Sequence, residues 1–452
     1  MPGPRTRGGS GLRIRAPAWP GARREVPLRR PPPAVRAYLA AYSQSTYTTP
    51  SWALMSIEPT SRAWVEVDLE AVRANYEMVR ERVGADVGLL PMVKADGYGL
   101  GAERVVRTLE PFEPRGYGVA TVGEGVALRA SGVERRVVVF TPMAPGEMEA
   151  AAGARLTASI SELEMLGRWG ELASEERPLD FHVEVDTGMG RAGLDWREAG
   201  RWGEAIAARV GPALRWSGVF THFQGAETGP REPTALQWRR FREAVDALAA
   251  APAEVGGRRG DRRAGERIVH AANSAAAMRW PEYAADMVRP GLFLYGGHPA
   301  PHARDEMPAP RPAVAVRARI GLIKEVPPGH TVGYGATYAA KRRERWGTLS
   351  IGYGDGLPLG LGNRGSALVR GRRVPIVGRV SMDMTVVDLT SAPEAEVGDV
   401  ATLIGRDGAE EIPVEQVAVE GNTIVYEVLT GLTARLPRIE RGAADPDGTG
   451  DG

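Results

Sequence analysis

The sequence predicts an α/β fold: a (β/α)8 barrel of the TIM type followed by a mostly β C-terminal domain. Three observations predict it. Eight apolar, strand-like runs alternate with helical patterns over about 230 residues. Such alternation favours a parallel sheet, and eight repeats favour closure into a barrel. Polar residues gather at the predicted carboxyl ends of five of the eight strands. Beyond a Pro-rich stretch at 300–312 the pattern switches to short β-branched runs divided by Gly, Pro and Asp turns. An open, doubly wound sheet is the structural alternative. It ranks lower because no GxGxxG opens its first helix.

The elements follow in order. Residues 1–54 hold nine arginines, nine prolines and one acid, Glu25. Such a segment cannot bury a core and is expected to be disordered or dispensable. Met55 directly precedes the regular sequence and is a candidate translation start. The extension is therefore set at 1–60, the barrel at 61–303, the β domain at 304–441 and a flexible acidic tail at 442–452. Residues 61–67 read as a short strand able to pair with the β domain. Asp68 is a good N-cap for a helix to about Val83, with Leu69, Val72, Tyr76, Val79 and Val83 on one face. The barrel strands are predicted at 87–93, 116–120, 136–141, 156–160, 181–186, 216–223, 267–273 and 286–291. Residues 252–265 are polar and Gly/Arg-rich, which reads as a surface loop. The β domain is predicted to carry strands at 314–326, 348–351, 367–369, 374–380, 385–389 and 399–404.

Composition narrows the function. The formal net charge is +1, which points to neither nucleic acid nor a membrane surface. There is no cysteine, so disulfides and thiolate nucleophiles are excluded. The six histidines show no zinc-ligand spacing. No apolar run approaches about 18 residues, the length that spans a bilayer.

The chemistry is expected at the strand ends. Lys94 closes an apolar run, where a lysine is rare unless paired or used. A desolvated lysine has a lowered pKa and can form a Schiff base with an aldehyde. The bland alternative is a lysine snorkelling out at a strand end. Strand five ends in Glu184 and Asp186, with Arg191 in the loop beyond. His222 ends strand six, and Asn273-Ser274 end strand seven. Arg289 lies in strand eight, before Gly291 and Leu292. Taken singly, His222 reads as a core histidine, Asp186 with Arg191 as a structural ion pair, and Gly291-Leu292 as a turn. Together, the loop after strand eight and the helix opened by Ser274 are where a barrel usually holds a phosphate. A phosphate site beside a buried lysine fits pyridoxal 5′-phosphate. A phosphorylated sugar in an aldol reaction is the competitor.

The residues then resemble a family. Val93-Lys-Ala-Asp-Gly-Tyr-Gly-Leu-Gly101, Asp186-Thr-Gly-Met-Gly-Arg-Ala-Gly193, Thr221-His-Phe223 and His270-Ala-Ala-Asn-Ser274 are similar to motifs of alanine racemases, fold-type III enzymes using pyridoxal phosphate. So are Val332-Gly-Tyr-Gly-Ala-Thr337, Gly352-Tyr-Gly-Asp-Gly356 and Gly378-Arg-Val-Ser-Met-Asp383. The resemblance runs from about 61 to 440. It implies that Lys94 holds the cofactor and is one catalytic base, and that Tyr334 is the opposite base, acting in the partner's site of a homodimer. It implies that Arg191 contacts the cofactor phenolate oxygen and the substrate carboxylate. His222 would pack on the pyridine ring and Arg289 would face its nitrogen. Tyr98, Ser274, Gly291 and Leu292 would hold the phosphate. Met382 would bind the substrate carboxylate, Tyr353 would narrow the entrance, and Asp186 and Asp383 would support. The implied reaction interconverts L- and D-alanine in the cytoplasm and supplies D-alanine for peptidoglycan.

Two departures stand out. Many relatives carry a carbamylated lysine where this chain has Glu184. Period-two alternation puts Glu184 on the face of Asp186, so it is expected to supply that negative charge directly to the arginine. Some relatives hold the phosphate with a tyrosine in the segment matching Gly431-Leu-Thr-Ala434-Arg-Leu-Pro437, which here is read as Ala434. Three rival readings share parts of this pattern. A broad-spectrum or serine racemase would share every motif. A pyridoxal-phosphate-binding homeostasis protein would resemble the barrel alone and lack the β domain. A decarboxylase of basic amino acids would use a partner-chain cysteine, and this chain has none.

Overall fold

The computed structural model describes residues 61–250 and 267–441; the expectations for 1–60, 252–265 and 442–452 lie outside the described residues. Eight parallel strands form one curled sheet. In sheet order they are Gly88–Leu89, Met287–Arg289, Ile268–Asn273, Leu214–Phe220, Leu179–Asp186, Thr157–Ile160, Val137–Val139 and Tyr117–Val119. A parallel bridge between Met92 and Gly118 joins the two edges and closes the barrel. The Val93 amide donates to the Gly118 carbonyl at 2.8 Å, and the Gly118 amide to the Pro91 carbonyl at 2.9 Å. These strands are apolar because both faces are covered. Val137, Val138 and Val139 are wholly buried, as parallel strands between core and helices require.

The first helix spans Leu69–Val83, and the Asp68 carboxylate accepts from the Ala71 amide at its start. Val72, Tyr76 and Val79 are buried on the predicted face, while Leu69 and Val83 are half-buried at its ends.

The second sheet is built on one long strand, Val314–Val326. It pairs antiparallel with Ala63–Asp68, Glu344–Leu349 and Val400–Asp407. Ala63–Asp68 also pairs in parallel with Arg438–Arg441, so the strand preceding the barrel is enclosed by the second domain's sheet. Two helices, Val414–Gly421 and Val425–Gly431, interrupt the β pattern expected for this region. The second packs on the barrel. A side chain at Gly99 would meet the Leu429 carbonyl at 2.5 Å, and the Arg438 guanidinium donates to the Gly99 carbonyl at 3.0 Å. No helix among the described residues is long and apolar enough to cross a membrane.

Candidate active site

The turn after the first barrel strand sets the position of Lys94. Ala95, Asp96, Gly97 and Tyr98 all lie in the left-handed region, at φ 52°, 53°, 62° and 55°. Three of these four are not glycine, and each costs about 1–2 kcal/mol in that conformation. The turn is closed by its own hydrogen bonds, from the Gly97 amide to the Val93 carbonyl and from the Gly99 amide to the Ala95 carbonyl, each 2.8 Å. Glu124 adds an outside hold, its Oε1 accepting from the Ala95 amide at 2.7 Å. The geometry leaves Lys94 at the strand end and turns the buried Tyr98 ring back over the barrel mouth.

Lys94, Tyr98, Glu184, Arg191, His222, Ser274, Arg289, Gly291 and Leu292 line one cavity of about 660 Å³, open mouth included. Burial, and then the charge of Arg191, push the Lys94 pKa below the ordinary lysine range, against the pull of Glu124. Arg289 is held from several sides. Nη1 bonds His270 Nδ1 at 3.0 Å, and Nη2 donates to the carbonyls of Thr221 (2.9 Å) and Ala271 (3.0 Å) and meets His222 Nδ1 at 3.3 Å. Burial lowers its pKa to about 10, so it stays a cation at neutral pH. A guanidinium only donates, so His270 must accept at Nδ1 and carry its proton on Nε2, which lies 2.9 Å from His182 Nδ1. Burial holds both of these histidines neutral, and it drops His222 to about 3.

Two residues beyond Arg289, Gly291 is closely packed. Its amide donates to Ser274 Oγ at 2.8 Å. A Cβ there would collide with the Tyr98 hydroxyl and come within 2.9 Å of Tyr98 Cζ. Tyr98 is stacked on Tyr295 at 4.6 Å, and the Tyr295 hydroxyl donates to the Met92 carbonyl at 2.8 Å.

Glu184 makes no ion pair with Arg191; its carboxylate accepts from Ser161 Oγ at 3.1 Å. It acts on Arg191 through its charge. Burial raises its pKa, opposed first by the Ser161 bond and then by the charges of Arg191 and Arg289. Asp186 lies outside the cavity. It accepts from the amides of Gly188 (2.9 Å) and Gly190 (3.1 Å) and so shapes the loop that presents Arg191. Ala434 does not line the cavity, whereas Tyr426, from the helix Val425–Gly431, reaches it with its ring 6.0 Å from that of Tyr98. Its hydroxyl donates to Glu227 Oε1 at 2.6 Å.

Sequence reasoning missed Tyr426 and Glu227, together with Met92, Phe140 and Phe220. The apolar residues carried no signal beyond a core strand. Tyr426-Glu427 at the start of a helix was legible only if that helix had been drawn.

The remaining predicted residues form a second cluster, on the β domain. Tyr334 is 71% exposed, Met382 51% and Tyr353 43%, and none lines the cavity of this chain. Their loops are tied together. The Tyr353 amide donates to the Ser381 carbonyl (3.0 Å) and the Gly354 amide to the Met382 carbonyl (2.8 Å), while Gly333 lies against Arg379. Behind them the buried Asp355 takes two bonds from Arg62, at 3.0 and 2.6 Å, and Arg435 bridges it to Asp383.

A closed eight-stranded parallel barrel with a desolvated lysine at its first strand end, joined to a β domain, defines the alanine racemase fold. The comparisons agree. The family model "Alanine racemase, N-terminal domain" matches residues 67–299, and "Alanine racemase, C-terminal domain" matches 313–440. The chain belongs to the alanine racemase family. It is 38% identical over 398 residues to an alanine racemase of Symbiobacterium thermophilum, covering 86% of this chain and 99% of that protein. It is 35% identical over 381 residues to alanine racemase 2 of Bacillus subtilis, covering 83% and 93%. Among solved structures, the alanine racemase of E. faecalis superposes with a TM-score of 0.77 at 30% identity, covering 86% of this chain and all of that one. That of Bacillus anthracis with bound L-Ala-P gives 0.76 at 30%, covering 86% and 96%.

Proposed function

We propose that this chain is a pyridoxal-phosphate-dependent alanine racemase, a cytoplasmic homodimer with shared active sites that supplies D-alanine for peptidoglycan. The observation that carries the reading is one cavity lined both by Lys94 and by Gly291, Ser274 and Tyr98. A small aldehyde bearing a phosphate fits that pairing. The Ser274 and Tyr98 hydroxyls supply donors for an anion; the Gly291 amide orients Ser274, and the missing side chain at Gly291 leaves room for the Tyr98 hydroxyl.

When bound, pyridoxal phosphate makes the α-proton of an attached amino acid acidic. The chain's residues do the rest. Lys94 holds the cofactor, and its lowered pKa makes the neutral amine available to take or return a proton on one face of the substrate. The partner subunit's Tyr334 serves the other face. Arg289 can only donate, so it would keep a pyridine nitrogen set against it unprotonated and moderate the electron sink, which would limit side reactions. His222 would pack against the ring. Arg191 orients the substrate carboxylate at the mouth, and the Met382 amide and Tyr353 of the partner subunit bound a small side chain. The exposed second cluster, absent from the cavity of its own chain, supports the dimeric site.

Mixing two inactive variants tests all of this. Lys94→Ala and Tyr334→Phe should each abolish racemisation of alanine. Exchanging subunits between them should restore activity, because half of the mixed dimers' sites then carry both intact residues. No activity in wild-type protein, or none restored by exchange, would overturn the reaction or the shared site respectively.

A further inference from the structure

The left-handed turn after Lys94 is held by one carboxylate from a neighbouring strand-end helix. Glu124 Oε1 accepts from the Ala95 amide at 2.7 Å, while Oε2 accepts from the amides of Ala120 (2.8 Å) and Thr121 (3.1 Å). One side chain therefore ties the ends of the first two barrel strands together. A helix cap accounts for part of this. The Glu124 amide bonds Thr121 Oγ1 at 3.3 Å, and Oε2 returns to the Thr121 amide. That capping box does not use Oε1. The second oxygen points out of its own helix to the one backbone amide that begins the strained turn.

We infer that Glu124 is a positioning residue for Lys94: its carboxylate holds Ala95–Tyr98 in the left-handed conformation that aims the lysine and Tyr98 into the cavity. The inference rests on the reading of Lys94 given above. Left-handed backbone at non-glycine residues persists only where surroundings over-determine it. Within the turn the hydrogen bonds run between its own amides and carbonyls, and Asp96 Oδ1 accepts from the Ala102 amide at 2.8 Å on the far side. On the Lys94 side the tie is Glu124. Loss of it lets the strand end relax toward ordinary backbone and swings the lysine off its line.

The experiment compares full-length Glu124→Gln and Thr121→Ala with wild type, reading kcat, KM and hydrogen exchange of the backbone amides from 95 to 99. Thr121→Ala breaks the cap and leaves the Ala95 bond, so it should lose stability and keep its kcat. Glu124→Gln should speed exchange in the turn and lower kcat about 10- to 100-fold, the scale of a small misplacement of a reacting group, with little change in KM. Adding Ala95→Gly, which makes positive φ free of steric cost, should recover part of that loss. If Glu124→Gln does not fold, Glu124→Asp should show the same two changes, because its shorter carboxylate cannot span both strand ends. Wild-type kcat in whichever of these variants folds, or turn exchange no faster than in Thr121→Ala, overturns the inference. The exchange is read on the chain whatever its activity, so a wild type without racemase activity sinks the reading of the site and not this hold on the turn.

Discussion

Gly291→Ala tests the cofactor cradle with a single methyl group. The new Cβ would strike the Tyr98 hydroxyl, lie 2.9 Å from Tyr98 Cζ and sit 3.4 Å from Met92 Cβ. The first two contacts are too close, so the glycine backbone or the tyrosine must shift. Tyr98 has little room: it is buried, stacked on Tyr295 at 4.6 Å and flanked by Tyr426 at 6.0 Å. Overpacking of this kind typically costs about 1–3 kcal/mol. Tyr98 is one of the donors proposed for the phosphate, so displacing its hydroxyl costs cofactor binding as well as folding. At about 1.4 kcal/mol per decade, affinity should fall roughly 5- to 150-fold. The assay is a pyridoxal phosphate titration of the apoprotein, followed by absorbance. Gly211→Ala is the control, since a Cβ there meets nothing within 4 Å. Gly291→Ala with an affinity within a factor of two of wild type would refute the cradle.

Glu184→Gln should lower kcat/KM about 3- to 10-fold, through the lost field at Arg191 and Arg289; unchanged kinetics would sink the idea that Glu184 supplies the negative charge of the site. Tyr426→Phe leaves Glu227 without its donor and should cost about 1–3 kcal/mol in denaturant unfolding; an unmoved midpoint would show that the bond is idle. His182, His222 and His270 all have pKa values depressed by burial, to about 3 for His222. The unfolded chain binds these protons below about pH 6.5 and the folded chain does not, so stability is complete above that pH and drains away as pH falls. His270→Gln removes one such group and should flatten ΔG against pH between 6 and 4 by about 1.4 kcal/mol per unit. An unaltered slope in unfolding experiments would mean that His270 protonates in the folded protein.

Much of the site was legible because barrels put function at strand ends. Lys94, Ser274 and Arg289 could be picked out as polar interruptions of apolar runs, without any contact being known. The contacts that escaped have a common cause. Glu184 was placed on the face of Asp186 by period-two alternation, but the pattern carries no distance, so its bond to Ser161 could not be read. Tyr426 enters the cavity from a helix that the β-domain pattern concealed. Glu227 sits in a loop, where no periodicity exists to read.

Periodicity and composition by themselves determined the alternating strands and helices, the switch to a β domain, and which side chains stand at strand ends, because these follow from local backbone geometry. Closure of the barrel through Met92 and Gly118 was decided only in three dimensions. So were the left-handed turn behind Lys94, the capture of Ala63–Asp68 by the second sheet, and the division of the predicted residues between a cavity and an exposed face. Each joins segments far apart in the chain. At Ala95, with a φ of about 50°, the amide is bonded by Glu124, a residue of the helix that follows the next strand and not of the turn itself.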